Sequence, residues 1–129
     1  MKRFLLFLLI FSSIFVVSCR DAGDKPAPEK AVKKHPWDWV PEDAVLASGR
    51  EVYMAECALC HNEGEEGAPA LTKADEWEKR NAKGLPELLD HAINGFNGPD
   101  GEMPARGGSD HLTDDQVTAA VKYMLAISK

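Results

Sequence analysis

Cys57-Ala58-Leu59-Cys60-His61 is the stretch of this chain richest in chemistry. It sets two thiols and an imidazole close together in the order C-x-x-C-H, the spacing of covalent haem attachment. Two thiols must reach the two vinyl groups of one porphyrin, and two intervening residues on a tight helical turn set that separation. The adjoining His61 then offers a ring nitrogen to the iron as its proximal ligand. Paired cysteines have two other uses, a redox C-x-x-C and half of a zinc site. A zinc site needs more Cys or His at ligand spacing, and no second pair follows. A thioredoxin-like motif needs a βαβ setting, which the pattern does not supply. The reading is one haem c, bound through Cys57 and Cys60.

With His61 on one face of the iron, the ligand on the other face decides what the iron does. Met103 is the leading candidate, within Gly101-Glu102-Met103-Pro104-Ala105-Arg106-Gly107-Gly108. A flexible backbone there can fold back over a haem, and Pro104 stiffens the approach. A thioether ligand favours Fe(II), raises the potential and closes the iron to outside ligands. The rivals are weaker. Met54 and Met124 sit at helical spacing among apolar residues, as core side chains do. His111 precedes the cap of the last helix, His91 falls on the polar side of its helix, and His35 lies far upstream.

The elements that must position these groups begin only after residue 41. Lys2 and Arg3 followed by the apolar run Phe4 to Val17 read as an export leader, too short for a spanning helix of about 20 apolar residues. Cys19 is the third cysteine. Val16-Val17-Ser18 before it resembles a bacterial lipoprotein box, with Val16 where Leu is usual. The expected segments are a leader over 1–18, a lipid-anchored tether over 19–41 and a haem domain over 42–129. Pro26, Pro28 and Pro36 and mixed charges mark the tether. About 20 such residues reach at most ~65 Å extended and roughly 25 Å as a coil. Trp37 and Trp39 interrupt its polar run and are expected to pack on the domain.

The net charge is −6 over 129 residues, and loss of Lys2 and Arg3 with a leader makes it two units more negative. Such acidity argues against nucleic acid. It suits redox partners with basic docking patches, where charge chiefly speeds encounter. It also serves solubility.

Within the domain the patterning is helical. Asp43 to Cys57 reads as an amphipathic helix leading into the haem motif, with Gly49 inside it at a close helix contact. His61 to Leu71 reads as loop. Thr72 is expected to cap a short helix over Lys73 to Ala82, stopped by Gly84. Pro86 opens the next helix, with Leu88, Leu89, Ala92 and Ile93 on its apolar face, and Gly95 ends it. Thr113 and Gln116 form a capping box for a last helix whose apolar face carries Val117, Ala120, Val121, Met124 and Leu125. No strand is expected. The fold class is all-α, about four helices with long Gly/Pro loops.

Taken together, these motifs resemble a class I c-type cytochrome of the c5-like branch, over Asp43 to Lys129. The resemblance rests on Cys57-x-x-Cys60-His61-x-x-Gly64-x-x-Gly67-Ala68-Pro69, Trp77-x-x-Arg80-x-x-x-Gly84, Met103-Pro104-x-x-Gly107-Gly108 and Ala120-Val121-x-Tyr123-Met124. It implies that the Pro69 carbonyl orients the His61 ring, that Leu71 walls the haem, and that Trp77 and Arg80 bind a propionate. It further implies that Gly49 and Tyr53 meet the last helix around Val121 and Tyr123. The chain lacks cysteines for the extra disulfide some relatives carry, and Phe96 to Asp100 lengthens the approach to Met103. The implied function is that of a membrane-tethered single-electron carrier facing the periplasm or outer surface. A fixed haem subunit of a larger oxidoreductase is the alternative. An open-site sensor or enzyme ranks last, since no acid–base constellation adjoins the motif.

Overall fold

The computed structural model describes residues 34–129. The expected leader, Cys19 and the tether before residue 34 lie outside the described residues.

Asp43 accepts the Leu46 amide at 2.9 Å and so caps the first helix, α1 (Ala44–Val52). The helix then widens into π geometry over Tyr53–Cys57 and returns to α over α2 (Ala58–His61). The helix leading into the haem motif thus runs on through His61, with a π segment of the kind found at functional sites. A 3-10 turn at Glu65–Gly67 follows, with Glu66 in the left-handed region at φ 52°.

The third helix, α3 (Ala74–Asn81), starts from Lys73, whose side chain makes no cap bond. Thr72 is therefore not the cap: it lies one residue too early. Asp75 and Glu76 in the first turn complement the helix dipole instead. Gly84, at φ 92°, turns the chain into α4 (Leu85–Asn94), with Pro86 in its first turn, and Gly95 at φ 89° ends it.

Two short strands were not expected. β1 (Phe96–Asn97) pairs antiparallel with β2 (Glu102–Met103), Phe96 opposite Met103. The Gly98 amide donates to the Gly101 carbonyl at 2.9 Å across the tip. Strands of two residues carry no alternating pattern to read. A turn at Ala105–Gly108 leads to α5 (Asp114–Ile127), which opens with the Thr113–Gln116 capping box.

The frame is the crossing of α1 on α5. Gly49 is the point of closest approach: a Cβ there would overlap the carbonyl oxygen of Ala119. Below it, the fully buried Tyr53 and Tyr123 pack with ring centroids 5.5 Å apart. The N-terminal stretch lies on this frame. The Tyr123 hydroxyl is 3.1 Å from the carbonyl oxygens of both Trp37 and Trp39, and Trp39 stacks on its ring. The core is divided. One cluster holds Tyr53, Leu71, Trp77, Tyr123 and Ile127, and the other holds Ala92, Leu112, Val117 and Val121, with Val52 and Leu125 packed against both.

Gly49→Ala should lower stability by about 1–3 kcal/mol, the usual range for overpacking. Denaturant unfolding checks this, and an unchanged midpoint would refute the close crossing.

Candidate functional site

Between the two core clusters lies a cavity of about 460 Å³. That volume suits a ligand buried on most of its surface. Trp77, Ala120 and Met124 line it from one cluster, and Ala92, Leu112, Val117 and Val121 from the other. Cys57, Cys60, His61, Pro69, Arg80 and Met103 all face it. The turn of helix through Cys57 to His61 brings the two thiols and the imidazole to one wall.

His61 is 7% exposed. Its Nδ1 lies 3.1 Å from the Pro69 carbonyl. A carbonyl only accepts, so Nδ1 carries the proton and Nε2 keeps its lone pair. This is the arrangement that fixes a ligating histidine. Burial pushes the His61 pKa below its ordinary value, against a smaller upward pull from the Pro69 hydrogen bond, so the ring keeps its neutral form to lower pH than a free imidazole.

Cys57 is pushed up to about 11 by burial, then by Glu56 and Cys60. Redox C-x-x-C sites lower the thiol pKa to make an attacking thiolate. The direction here opposes that use. Among the described residues, no three His, Cys, Asp or Glu side chains converge as a cage for a bare metal ion. The donor set fits a porphyrin: thiols for its vinyl groups, one imidazole for its iron, and apolar walls. Lys79, Arg80 and Lys83 stand together on one side of the cavity, where they suit propionate carboxylates, although Lys83 pairs with Glu87 and Glu65, Glu66, Asp100 and Glu102 also line the cavity.

Several expected site residues differ in detail. Leu71 does not line the cavity; it is 2% exposed in the first core cluster, and its amide donates to the His61 carbonyl at 2.8 Å. Trp77 lines the cavity, but its indole N–H donates to the Ala70 carbonyl at 2.9 Å. The indole therefore anchors the loop after His61 and offers an apolar face, which leaves the polar role to Arg80. Arg80 itself donates to the Glu76 carbonyl at 3.1 Å and pairs with the Glu76 carboxylate. Met54, within the π segment, is exposed rather than core.

Met103 is half-buried on β2 and shares the cavity with Met124 and His91. His91 was expected on a polar face; instead its ring stacks on Phe96 at 4.0 Å. The partner of that stack lies on the unforeseen hairpin, so the sequence carried no sign of it. His111 is exposed and does not line the cavity. His35 stacks on Trp37.

The family described as "Cytochrome C oxidase, cbb3-type, subunit III" matches residues 44–124. Cytochrome c-555 of Chlorobaculum thiosulfatiphilum is 43% identical over 83 residues, 64% of this chain and 96% of that protein. Cytochrome c6 of Porphyra purpurea is 34% identical over 88 residues, 67% of this chain and 74% of that protein. A chain in the crystal structure of an electron transfer complex of nitrite reductase with cytochrome c superposes with a TM-score of 0.56 at 30% identity, covering 64% of this chain and 95% of that one. The chain belongs to the class I c-type cytochromes, haem-bearing electron carriers.

The neutral His61 gives a pH dependence with a definite sign. The unfolded chain binds a proton there near 6.5, and the folded chain takes one up only at lower pH. This contribution to stability is full above pH 6.5 and is lost as the pH falls below it, by up to about 1.4 kcal/mol per unit. The denaturant midpoint should be lower at pH 5.5 than at pH 7.5, and an equal or higher midpoint at the lower pH would contradict the buried neutral ring.

Proposed function

We propose that the chain carries one haem c, joined to Cys57 and Cys60 and ligated by His61 and Met103, and that it shuttles single electrons while tethered to a membrane. The observation that carries this reading is the meeting of those four side chains in one apolar cavity, with the His61 ring already turned by Pro69. Bound there, the haem supplies a one-electron Fe(III)/Fe(II) couple.

The chain's own residues do the rest. The Pro69 carbonyl holds the Nδ1 proton and leaves Nε2 free as a donor. Val117, Ala120 and Val121 exclude water, which favours the less charged reduced state. Lys79, Arg80 and Lys83 balance carboxylate charge. Met103 closes the second face, with the loop around it as support.

Glu63, Glu65 and Glu66 are exposed beside the attachment segment, and Leu59 between the two cysteines is 85% exposed. An apolar contact with an acidic surround suits a redox protein with a basic docking patch. A redox protein as partner is in keeping with the nitrite reductase complex of the structural relative.

The tether reading places lipid on Cys19, export from the leader, and the domain on the periplasmic or outer face. Among the described residues no helix is long and apolar enough to cross a membrane. Mass spectrometry of protein extracted from membranes should show a mature N-terminus acylated at Cys19, and an unmodified one would remove the anchor. The second reading, a fixed subunit of a larger oxidoreductase, draws on the oxidase subunit that describes the family. Co-purification with a stable partner would favour it.

Optical spectra of the holoprotein test the ligand set. A far-red Met–Fe(III) charge-transfer band and no response of the reduced form to carbon monoxide are expected, both reversed in Met103→Ala. Retention of the band in that variant would move the ligand to Met124. A closed iron with no far-red band in the unaltered protein would point to His91 instead.

A further inference from the structure

The segment bearing Met103 is fastened on both sides to the segment bearing the cysteines and His61. Upstream of Met103, backbone meets backbone. A Cβ on Gly101 would overlap the Glu66 carbonyl oxygen, and one on Gly67 would overlap the Asp100 carbonyl oxygen. Two glycines thus let the tip of the hairpin sit directly on the 3-10 turn that follows His61. Downstream of Met103, the Ser109 hydroxyl donates to the Glu56 carboxylate. Glu56 directly precedes Cys57. Gly107, in the left-handed region at φ 66°, approaches the Glu56 carbonyl on the same side. Between these two fastenings Met103 pairs with Phe96 across the hairpin, and Arg106 donates to the Leu112 carbonyl at 2.8 Å and pairs with Asp114 at 2.6 Å; just beyond Ser109, the His111 ring lies 3.7 Å from the same Glu56 carboxylate.

We propose that Gly101 and Ser109 are positioning residues that clasp the Met103 loop over the cavity, one against Glu66 and the other against Glu56. Met103 then meets the iron because its loop is held at both ends, and not through the strength of a thioether bond alone. The clasp explains how a loop lengthened by Phe96 to Asp100 delivers its ligand: the added residues form the hairpin whose tip makes the upstream contact. Loss of either fastening leaves the helices intact and raises the fraction of molecules with the loop lifted. A ligand that binds only the lifted form reads that fraction directly. This inference rests on the proposed ligation by Met103.

The test uses holoprotein variants Ser109→Ala, Ser109→Thr and Gly101→Ala. Removing one hydrogen bond to a charged acceptor changes an opening equilibrium by roughly tenfold. Ser109→Ala and Gly101→Ala should bind carbon monoxide in the reduced form about tenfold faster than the unaltered protein and weaken the far-red band. Ser109→Thr keeps the hydroxyl and should behave as the unaltered protein. Far-UV circular dichroism should be the same in all four, which separates a lifted loop from an unfolded domain. Should Gly101→Ala fail to fold, Ser109→Ala and its threonine rescue decide the matter. Carbon monoxide rates in Ser109→Ala equal to those of the unaltered protein, with the far-red band intact, would overturn the clasp and leave Met103 as ligand. Absence of the far-red band in the unaltered protein would overturn the ligation by Met103 and the clasp together.

Discussion

The structure turns on a core that is split in two. A domain of this size has little apolar material to spare. Here that material is divided between a cluster around Tyr53, Trp77 and Tyr123 and another around Ala92, Leu112 and Val117, with the cavity between them. Helices α1 and α5 bridge the two through Val52 and Leu125, and their crossing depends on the bare backbone at Gly49. A haem in the cavity would add apolar surface that both clusters can bury against, and two covalent bonds to one helical turn would make it part of the chain. Small domains use disulfides or metals in the same way.

That arrangement also sets the electrostatics. His61 is buried, neutral and pinned by Pro69, so it is ready to ligate without first losing a proton. The Cys57 thiol is half-buried with its pKa pushed up to about 11, which suits a permanent attachment better than reversible disulfide exchange. Lys79, Arg80 and Lys83 stand at one side of the cavity and Glu65 and Glu66 at its rim, with Glu63 exposed beside the attachment turn.

Chemistry that fixes residue spacing was readable in the sequence, and chemistry made by tertiary approach was not. Cys57, Cys60 and His61 are legible because one porphyrin dictates their separation. The Thr113–Gln116 cap and the Gly49 contact are legible because each is a local rule with a clear residue preference. Thr72 misled by one position, since a threonine before an acidic turn looks like a cap whether or not its backbone adopts that geometry. The Phe96–Met103 hairpin escaped notice because two-residue strands leave no periodicity. His91 was misplaced for the same reason, as its ring is turned by Phe96 on that hairpin. The bond between Glu56 and Ser109 joins residues 53 positions apart, and nothing local marks either one. Leu71 was expected to wall the haem and Trp77 to bind a propionate, whereas Leu71 packs behind His61 and Trp77, though it lines the cavity, spends its N–H on Ala70.

The central claim is that a haem joined to Cys57 and Cys60 completes this core. Peptide mass spectrometry of the denatured, proteolysed holoprotein addresses it most directly. The account predicts that the peptide containing Cys57 to His61 carries one haem that survives denaturation and acid extraction, with neither thiol open to alkylation. Recovery of that peptide unmodified, with both thiols alkylated, would contradict it.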